Sequence, residues 1–245
     1  MAQRNPLIEL AGMRLAGMRL AGLAQLGYHL GAVLTIALIT TPLHSPTQAA
    51  QTAPQAEQFY TQGTIHLNQG NPSAAIAAFD RAIELDPQFV DAYCDRGLAH
   101  VALGNYQAAI GEFQQALEVD PTHADAYTRW GATLALIEDF AGAIEKFNET
   151  LALEPRSLDA YYNRGLAYYS LADYAQSIDD FNQAIAIAPS FAQAYGRRGL
   201  AVNALGNRAA ALTDLENAAR LFQVQGDQLG YQQTLDIIRL IQQQE

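Results

Sequence analysis

Two histidines, His66 and His100, stand 34 residues apart and are the first candidates for chemistry in this chain. Imidazole nitrogens are common metal ligands, and two histidines on neighbouring helices could bind one ion. A zinc site needs a third and usually a fourth protein ligand, and the pattern that places these histidines supplies neither. We therefore interpret both as packed core side chains, and the sequence predicts no metal site and no cofactor.

Cys94 is the only cysteine, which excludes an internal disulfide. A reactive thiol needs a base or a cation beside it, and the sequence places none there, so an inert thiol is the simpler interpretation. The chain has no glycine-rich phosphate loop, no nucleophile elbow and no zinc-protease helix signature. We expect a protein that is not an enzyme.

Composition and charge restrict the classes of molecule that could bind this chain. Half of the residues are hydrophobic and 16% are charged, which is typical of a folded chain. The net charge is −11, and Lys146 is the only lysine. Beyond residue 49 the chain carries 11 basic and 24 acidic side chains, an excess that repels phosphate backbones and argues against nucleic acid as a partner.

The polar residues are positioned by a repeat of 34 residues. Glycines, prolines and large apolar side chains follow this period, at Gly63, Gly97, Gly131, Gly165 and Gly199, at Pro87, Pro121, Pro155 and Pro189, and at Phe79, Phe113, Phe147, Phe181 and Leu215. Counting Ala56 as position 1, the repeats are 56–89, 90–123, 124–157, 158–191 and 192–225. Fixed periods of this length indicate stacked supersecondary units.

Each repeat predicts two helices. Positions 4, 8 and 11, and again positions 20, 24 and 27, each lie on one helical stripe, and apolar or small residues recur there except for His66 and His100 at position 11. Gly70, Gly104 and Gly206 stand where the first helix should end in a left-handed cap. Asn71 and Pro72 are typical of an N-cap and a first helical residue, and the proline at position 32 stops the second helix. A glycine inside a helix costs about 1 kcal/mol relative to alanine, so the one at position 8 predicts close helix contact.

With this period and these stripes the chain resembles the tetratricopeptide repeat family over residues 56–225. The shared pattern is aromatic–x3–Gly–x2–aromatic in the first helix and Ala–x3–Phe–x2–Ala–x4–Pro in the second. Repeat 4 has Ser177 at the first small site, and repeat 5 has Gln223 in place of the proline. The resemblance implies an all-α, right-handed α-solenoid of helix-turn-helix hairpins. Residues 226–245, with Tyr231, Leu235, Ile238 and Ile241 at helical spacing, predict a capping helix.

The first 49 residues predict a signal peptide or a membrane anchor, followed by a linker over 50–55. Three arginines precede an apolar run over 26–41, and Thr47–Gln48–Ala49 offers a cleavage site before Ala50. The alternative is an uncleaved span over 20–41. Met13 and Met18 are alternative starts to Met1. Positive charge ahead of the apolar run places the repeats outside the cytoplasm, in a periplasm or an equivalent lumen.

Members of the family hold peptides in a concave groove formed by positions 2, 5, 6, 9, 12 and 13, and the resemblance places a partner-binding site there. The candidate residues are Tyr60, Arg129, Tyr162, Asn163, Tyr169, Arg197 and Asn203. Tyrosine and arginine are frequent in binding hot spots, and asparagine can bind a peptide backbone through a donor and an acceptor. A solvated face without a partner remains the alternative.

Three further patterns bear on this groove. Acidic residues recur at position 2, as in Asp125 and Asp159, where helix-dipole stabilisation explains them and selection of a basic partner is an added possibility. Some family members bind a carboxylate with a clamp of side chains. This chain lacks the first part of that clamp, because Thr128 and Ala132 stand where lysine and asparagine are required. Arginines at position 7, namely Arg96, Arg164 and Arg198, are interpreted as pairing with acids of neighbouring repeats.

The sequence therefore predicts an exported scaffold or adaptor that binds a protein or peptide segment in its groove, for instance during assembly of an envelope or membrane complex. The alternatives are a structural protein that acts by self-association of the solenoid, and a metal-carrying accessory built on His66 and His100. The identity of the partner and the oligomeric state are not encoded in any motif.

Overall fold

A computed structural model describes residues 46–243, with side chains from residue 53. This part of the chain folds into eleven helices and contains no strand. The helices are α1 (Pro46–Asn68), α2 (Pro72–Leu85), α3 (Val90–Ala102), α4 (Tyr106–Val119), α5 (Ala124–Leu136), α6 (Phe140–Leu153), α7 (Leu158–Ser170), α8 (Tyr174–Ile187), α9 (Ala192–Ala204), α10 (Arg208–Val224) and α11 (Gln228–Gln242).

The helices belong to two compact units that divide after Asn105. Unit 1 contains α1, α2 and α3, and unit 2 contains α4 to α11. In unit 1, α2 packs against both α1 and α3, and in unit 2 the helices from α5 to α11 pack against their neighbours in sequence. The division falls inside predicted repeat 2, so the compact units do not follow the sequence period.

The glycine at position 8 lets the second helix of a hairpin approach the first. Phe147 and Phe181 are fully buried, and each ring lies against the glycine of its own repeat. A Cβ atom on Gly131 would lie 2.8 Å from the Phe147 ring, and one on Gly165 would lie 2.9 Å from the Phe181 ring. The close contact predicted from the recurring glycine is therefore confirmed, because only a missing side chain leaves room for the ring.

The ends of the first helices use a left-handed residue in every repeat. Gly70, Gly104 and Gly206 have φ of 74°, 75° and 84°, as predicted for a left-handed cap. Repeats 3 and 4 have no glycine at this position, yet Glu138 and Ala172 adopt the same conformation, with φ of 65° and 60°. The backbone geometry of the repeat is therefore kept even where the residue type disfavours it.

The fifth repeat ends differently because it lacks the proline at position 32. Its second helix, α10, runs for 17 residues, whereas α8 ends after 14, just before Pro189. Helix α11 then packs against α10 and buries Ile238 and Ile241, as expected of the predicted capping helix. Its N-cap is Asp227, whose side chain accepts a hydrogen bond from Gly230 N at 2.8 Å.

Of the N-terminal predictions, only the linker over 50–55 lies fully within the described residues. Helix α1 begins at Pro46, so residues 50–55, predicted as a linker, are helical. The predicted signal peptide or anchor, including the apolar run over 26–41, lies outside the described residues. Within residues 46–243 no helix has the length and apolar character needed to cross a membrane.

Candidate functional site

The first helices of repeats 3, 4 and 5 lie side by side in unit 2. Helix α7 contacts both α5 and α9, so residues at equivalent positions of these helices are neighbours. Six of the seven predicted site residues lie on these three helices and are half-buried, namely Arg129, Tyr162, Asn163, Tyr169, Arg197 and Asn203. The seventh, Tyr60, is in unit 1. We call the surface formed by α5, α7 and α9 the first-helix face.

The positive charge of Arg197 acts on Tyr169 although the two residues belong to different repeats. Burial raises the pKa of the Tyr169 hydroxyl, the nearby Tyr174 raises it further, and the positive charge of Arg197 acts in the opposite direction. The Tyr169 ring also packs edge-on against Tyr174, with the ring centroids 5.3 Å apart. An aromatic ring held in place by a second ring is a rigid binding element, because little side-chain entropy remains to be lost on contact.

Asn163 and Asn203 offer amide groups that the fold does not use. Both side chains are half-buried, and within residues 53–243 neither makes a side-chain hydrogen bond. A carboxamide has two donors and an acceptor, which matches the carbonyl and amide of a peptide backbone. These two asparagines are therefore the groups on the first-helix face that are best suited to bind main chain.

Arg129 is already engaged. Its Nε lies 2.5 Å from Asp125 Oδ2 one turn earlier in α5, and the Arg129 side chain is 16% exposed. A guanidinium held in this way presents its remaining donors to a partner only together with the Asp125 carboxylate. The sequence placed Arg129 on this face as a single charge, whereas the structure places an ion pair there.

Asp159 carries a charge that the fold disfavours. Burial raises the pKa of its carboxyl, and the nearby Asp125 carboxylate raises it further. The helix dipole acts in the opposite direction, so burial and the Asp125 carboxylate outweigh it in setting the pKa of Asp159. The two position-2 carboxylates of repeats 3 and 4 therefore form a locally negative site on the first-helix face.

Position 5 contributes more to packing than to an open surface. The Tyr162 ring packs on Phe181 and Phe191 with centroid distances of 5.8 and 4.8 Å. Tyr60 makes the equivalent contacts in unit 1, and its hydroxyl donates a hydrogen bond of 2.9 Å to Asp95 Oδ2. Cys94, at the same position of repeat 2, is 1% exposed, in agreement with an inert thiol. Sequence periodicity could not separate these packing roles from binding roles, since both place a residue on the same side of the helix.

The arginines at position 7 form ion pairs, as the sequence predicted, but not always with the predicted partner. In repeat 4 the Arg164 guanidinium binds both oxygens of Asp180, at position 23 of the same repeat, and donates to Asn148 Oδ1, at position 25 of the preceding repeat, at 2.6 Å. It also lies over the ring of Tyr161 at 5.6 Å. We call this set of contacts the arginine bracket.

The arginine bracket recurs in repeat 5 around Arg198, which binds Asp214 of its own repeat and Asn182 of the preceding one. The predicted pairing with an acid of a neighbouring repeat holds for Arg96, whose Nη1 lies 2.5 Å from Asp80 Oδ1. For Arg164 and Arg198 it was wrong, because the acid stands on the second helix of the same hairpin.

His66 and His100 are both half-buried, and the Nδ1 atom of each is shielded from solvent without a hydrogen-bond partner within the described chain. No group of three or more histidine, cysteine, aspartate or glutamate side chains within residues 53–243 is arranged to bind a metal ion.

Comparison with known sequences agrees with the hairpin geometry. Family models described as "Tetratricopeptide repeat" match residues 60–124, 94–153 and 158–191, and one described as "TPR repeat" matches residues 135–172. The chain belongs to the tetratricopeptide repeat (TPR) family. Its fold class is the all-α solenoid of TPR hairpins, as the sequence predicted. No curated protein is significantly similar to the chain.

Several solved TPR structures share the fold. One described as "Crystal structure of MamA" is 27% identical, with a TM-score of 0.62 over 67% of this chain and 96% of that one. MamA from Desulfovibrio magneticus RS-1 is 23% identical, with a TM-score of 0.64 over 70% of this chain and 97% of that one. YrrB, described as "a TPR protein with an unusual peptide-binding site", is 20% identical, with a TM-score of 0.61 over 78% of this chain and 99% of that one.

TPR proteins of this kind are protein-binding scaffolds, and the family is generally non-catalytic. The chain therefore has the architecture of a scaffold that contacts other proteins.

Proposed function

We propose that this TPR protein is an exported scaffold that binds an extended protein segment on its first-helix face, in support of the assembly of an envelope or membrane complex. The observation that carries the proposal is the pair Asn163 and Asn203, whose side-chain carboxamides make no intramolecular hydrogen bond within residues 53–243. Polar groups that are half-buried and unused gain from a ligand that pairs with them, because they have already lost part of their hydration.

The charges of the first-helix face indicate the kind of segment. Asp159, near the Asp125–Arg129 ion pair, favours a lysine or arginine side chain, since a cation relieves its repulsion with the Asp125 carboxylate. Arg197, whose charge acts on Tyr169, favours an acceptor such as a carboxylate or a backbone carbonyl. The proposed ligand is thus a segment with a basic residue near repeat 3 and an acceptor near repeat 5. Its binding should weaken with salt.

The test is site-specific crosslinking with a photoreactive amino acid in place of Asn163, followed by capture of crosslinked proteins in the native host. We expect a discrete crosslinked partner, and we expect the double substitution Asn163→Ala and Arg197→Ala to weaken its binding by at least about tenfold, because a charge-assisted bond and an amide contact are lost together.

The matched control removes one amide and one guanidinium from the second helices of the same two repeats, through Gln183→Ala and Arg220→Ala, both on exposed side chains. This control should leave the partner bound. Equal binding by the Asn163/Arg197 variant and the wild-type protein would exclude the first-helix face as the site.

Export is part of the proposal and has its own test. The arginines and the apolar run before residue 42 support it. N-terminal sequencing of the protein from its host should give Ala50 as the first residue after cleavage. A chain that keeps residues 26–41 and fractionates with membranes would indicate the anchored alternative, and a full-length chain in the cytoplasm would contradict export.

Self-association is a second candidate function, favoured by two exposed apolar side chains near the C-terminal end. Val224 and Leu229 flank the turn between α10 and α11 and are 77% and 68% exposed. If this end joins two copies, the substitutions Val224→Ser and Leu229→Ser should convert a dimer into a monomer in analytical ultracentrifugation, without loss of helicity. A wild-type protein that sediments as a monomer at all concentrations would dismiss this candidate.

A further inference from the structure

Repeat 3 lacks the arginine bracket because all of its polar positions have changed. Position 7 is Trp130, position 23 is Lys146, and position 25 of the preceding repeat is Gln114. Instead of an arginine bound to an aspartate, the Lys146 ammonium lies over the Trp130 ring, 4.5 Å from its centroid. A pocket of about 580 Å³ lies at this place, and its border includes Leu117 and Tyr127 as well as the three substituted residues.

Two hydrogen-bond donors at this pocket have no acceptor. Lys146 is half-buried, and within residues 53–243 no carboxylate lies within ion-pair distance of its ammonium. The Trp130 indole Nε1 is shielded from solvent and has no acceptor in the described chain. In repeats 4 and 5 the position-7 donors, Arg164 and Arg198, are bound to aspartate and asparagine oxygens. In repeat 3 both position 7 and position 23 carry a donor, and the aspartate carboxylate of the arginine bracket is missing.

The surroundings restrict which acceptor fits. Leu117 and Tyr127 give the pocket an apolar wall, and the exposed carboxylates of Glu118 and Glu149 stand at its border. These carboxylates repel a multiply charged anion such as phosphate more strongly than a single carboxylate, because repulsion grows with the charge of the guest. Apolar residues on either side of a carboxylate would cover the wall.

We propose that the pocket between α4, α5 and α6 binds a glutamate or aspartate side chain of a partner protein, flanked by apolar residues. The guest carboxylate pairs with Lys146, which stands at the position that carries the aspartate of the arginine bracket in repeats 4 and 5. Its apolar neighbours pack on Leu117 and Tyr127. This site shares α5 with the first-helix face through Tyr127 and Trp130, but it contains none of the candidate residues of that face, and its other residues stand on the second helices α4 and α6.

Trp130 is the only tryptophan of the chain, so its fluorescence reports on this pocket alone. The probes are the blocked peptides acetyl-Ala-Leu-Glu-Leu-Ala-amide and acetyl-Ala-Leu-Gln-Leu-Ala-amide, titrated into the full chain. We expect a saturable change in tryptophan emission with the glutamate peptide and binding at least about tenfold weaker with the glutamine peptide, because a charge-assisted bond is lost. No saturable change, or equal binding of the two peptides, would overturn the proposal.

Substitutions in the pocket separate binding from packing. Lys146→Met keeps the apolar stem of the side chain and removes the charge, so the glutamate peptide should lose its advantage over the glutamine peptide. Glu118→Gln with Glu149→Gln should tighten the glutamate peptide severalfold, because repulsion at the border is removed. A purely structural role for Lys146 predicts no change in either measurement, and that result would refute the proposal.

A third variant rebuilds the arginine bracket in repeat 3 through Gln114→Asn, Trp130→Arg and Lys146→Asp. It should keep its helicity and lose the glutamate peptide, as measured by the fluorescence anisotropy of a dye-labelled peptide. Retained binding in a folded triple variant would count against the pocket. If this variant does not fold, the comparison between Lys146→Met and the wild-type protein decides, because that substitution leaves the aromatic wall intact.

Discussion

Arg164 binds the carboxylate of Asp180 with two parallel hydrogen bonds, from Nη2 to Oδ1 at 2.6 Å and from Nε to Oδ2 at 2.9 Å. The two residues stand 16 positions apart and connect the first and second helices of repeat 4. The Asp180 side chain is 5% exposed, and its burial raises the pKa of the carboxyl even though Arg164 acts to lower it. Desolvation therefore disfavours the Asp180 carboxylate, and pairing with Arg164 favours it.

Replacing Arg164 with Met should destabilise the protein near pH 7 by about 3 kcal/mol, because it leaves a buried carboxylate without its partner. Without the arginine the pKa of Asp180 should rise further, so the loss should shrink as the pH falls through the raised pKa values of Asp180, which lie above the ordinary aspartate pKa, and the carboxyl becomes neutral. Urea denaturation of the wild-type protein and the variant at several pH values measures this. Arg96→Met is the matched control, and it should cost only about 1 kcal/mol, since the Asp80 side chain is 46% exposed. Equal losses in the two variants would show that burial of the aspartate does not matter.

Ser177→Ala should stabilise the protein. Ser177 is fully buried, and its hydroxyl has no hydrogen-bond partner in the described chain. The equivalent position in repeats 3 and 5 is Ala143 and Ala211, both fully buried. Removal of an unsatisfied buried hydroxyl should add about 1 kcal/mol to the free energy of unfolding. A chemical denaturation curve measures the gain, and a loss of stability would indicate that the hydroxyl has a partner in solution.

Glu138→Gly and Ala172→Gly should each raise the free energy of unfolding by about 0.5–1 kcal/mol. Both residues have positive φ, a conformation that glycine adopts without the steric cost of a Cβ atom. The reverse substitution, Gly206→Ala, is the control and should destabilise by a similar amount, because a Cβ there meets no atom within 4 Å and only the backbone conformation is penalised. If neither substitution raises the free energy of unfolding, the positive φ of Glu138 and Ala172 carries no energetic penalty.

Asp159→Asn should stabilise the protein near pH 7 and have little effect near pH 3. The folded state raises the pKa of Asp159 above 3.8, so the ionised carboxylate is disfavoured on folding. The stability of the wild-type protein associated with this group is fully present below pH 3.8 and declines as the pH rises through the folded-state pKa. The melting temperatures of the wild-type protein and the variant, compared between about pH 3 and pH 7, measure this effect. A variant that is less stable than wild type at neutral pH would show that helix-dipole stabilisation prevails at this position.

Much of the local structure could be predicted from the sequence because TPR hairpins depend on short-range rules. Pro189 marks the end of α8, and the absence of proline in repeat 5 accounts for the longer α10. The glycine caps and the Asn71–Pro72 helix start follow from conformational preferences of single residues. The candidate site was less accessible to such rules. Tyr162 and Tyr169 lie on one helix, yet one packs on two phenylalanines and the other packs on Tyr174 and is influenced by the charge of Arg197.

The sequence by itself determined the period, the two helices of each repeat and the close contact at the recurring glycine, because each depends on residues within one 34-residue unit. Only the tertiary structure decided which polar groups are already engaged. It pairs Arg129 with Asp125, encloses Asp180 beside Arg164 and leaves Lys146 over Trp130 without a carboxylate. The physical reason is that pairing and desolvation depend on distances between side chains of different helices, and these distances are fixed only when the helices pack.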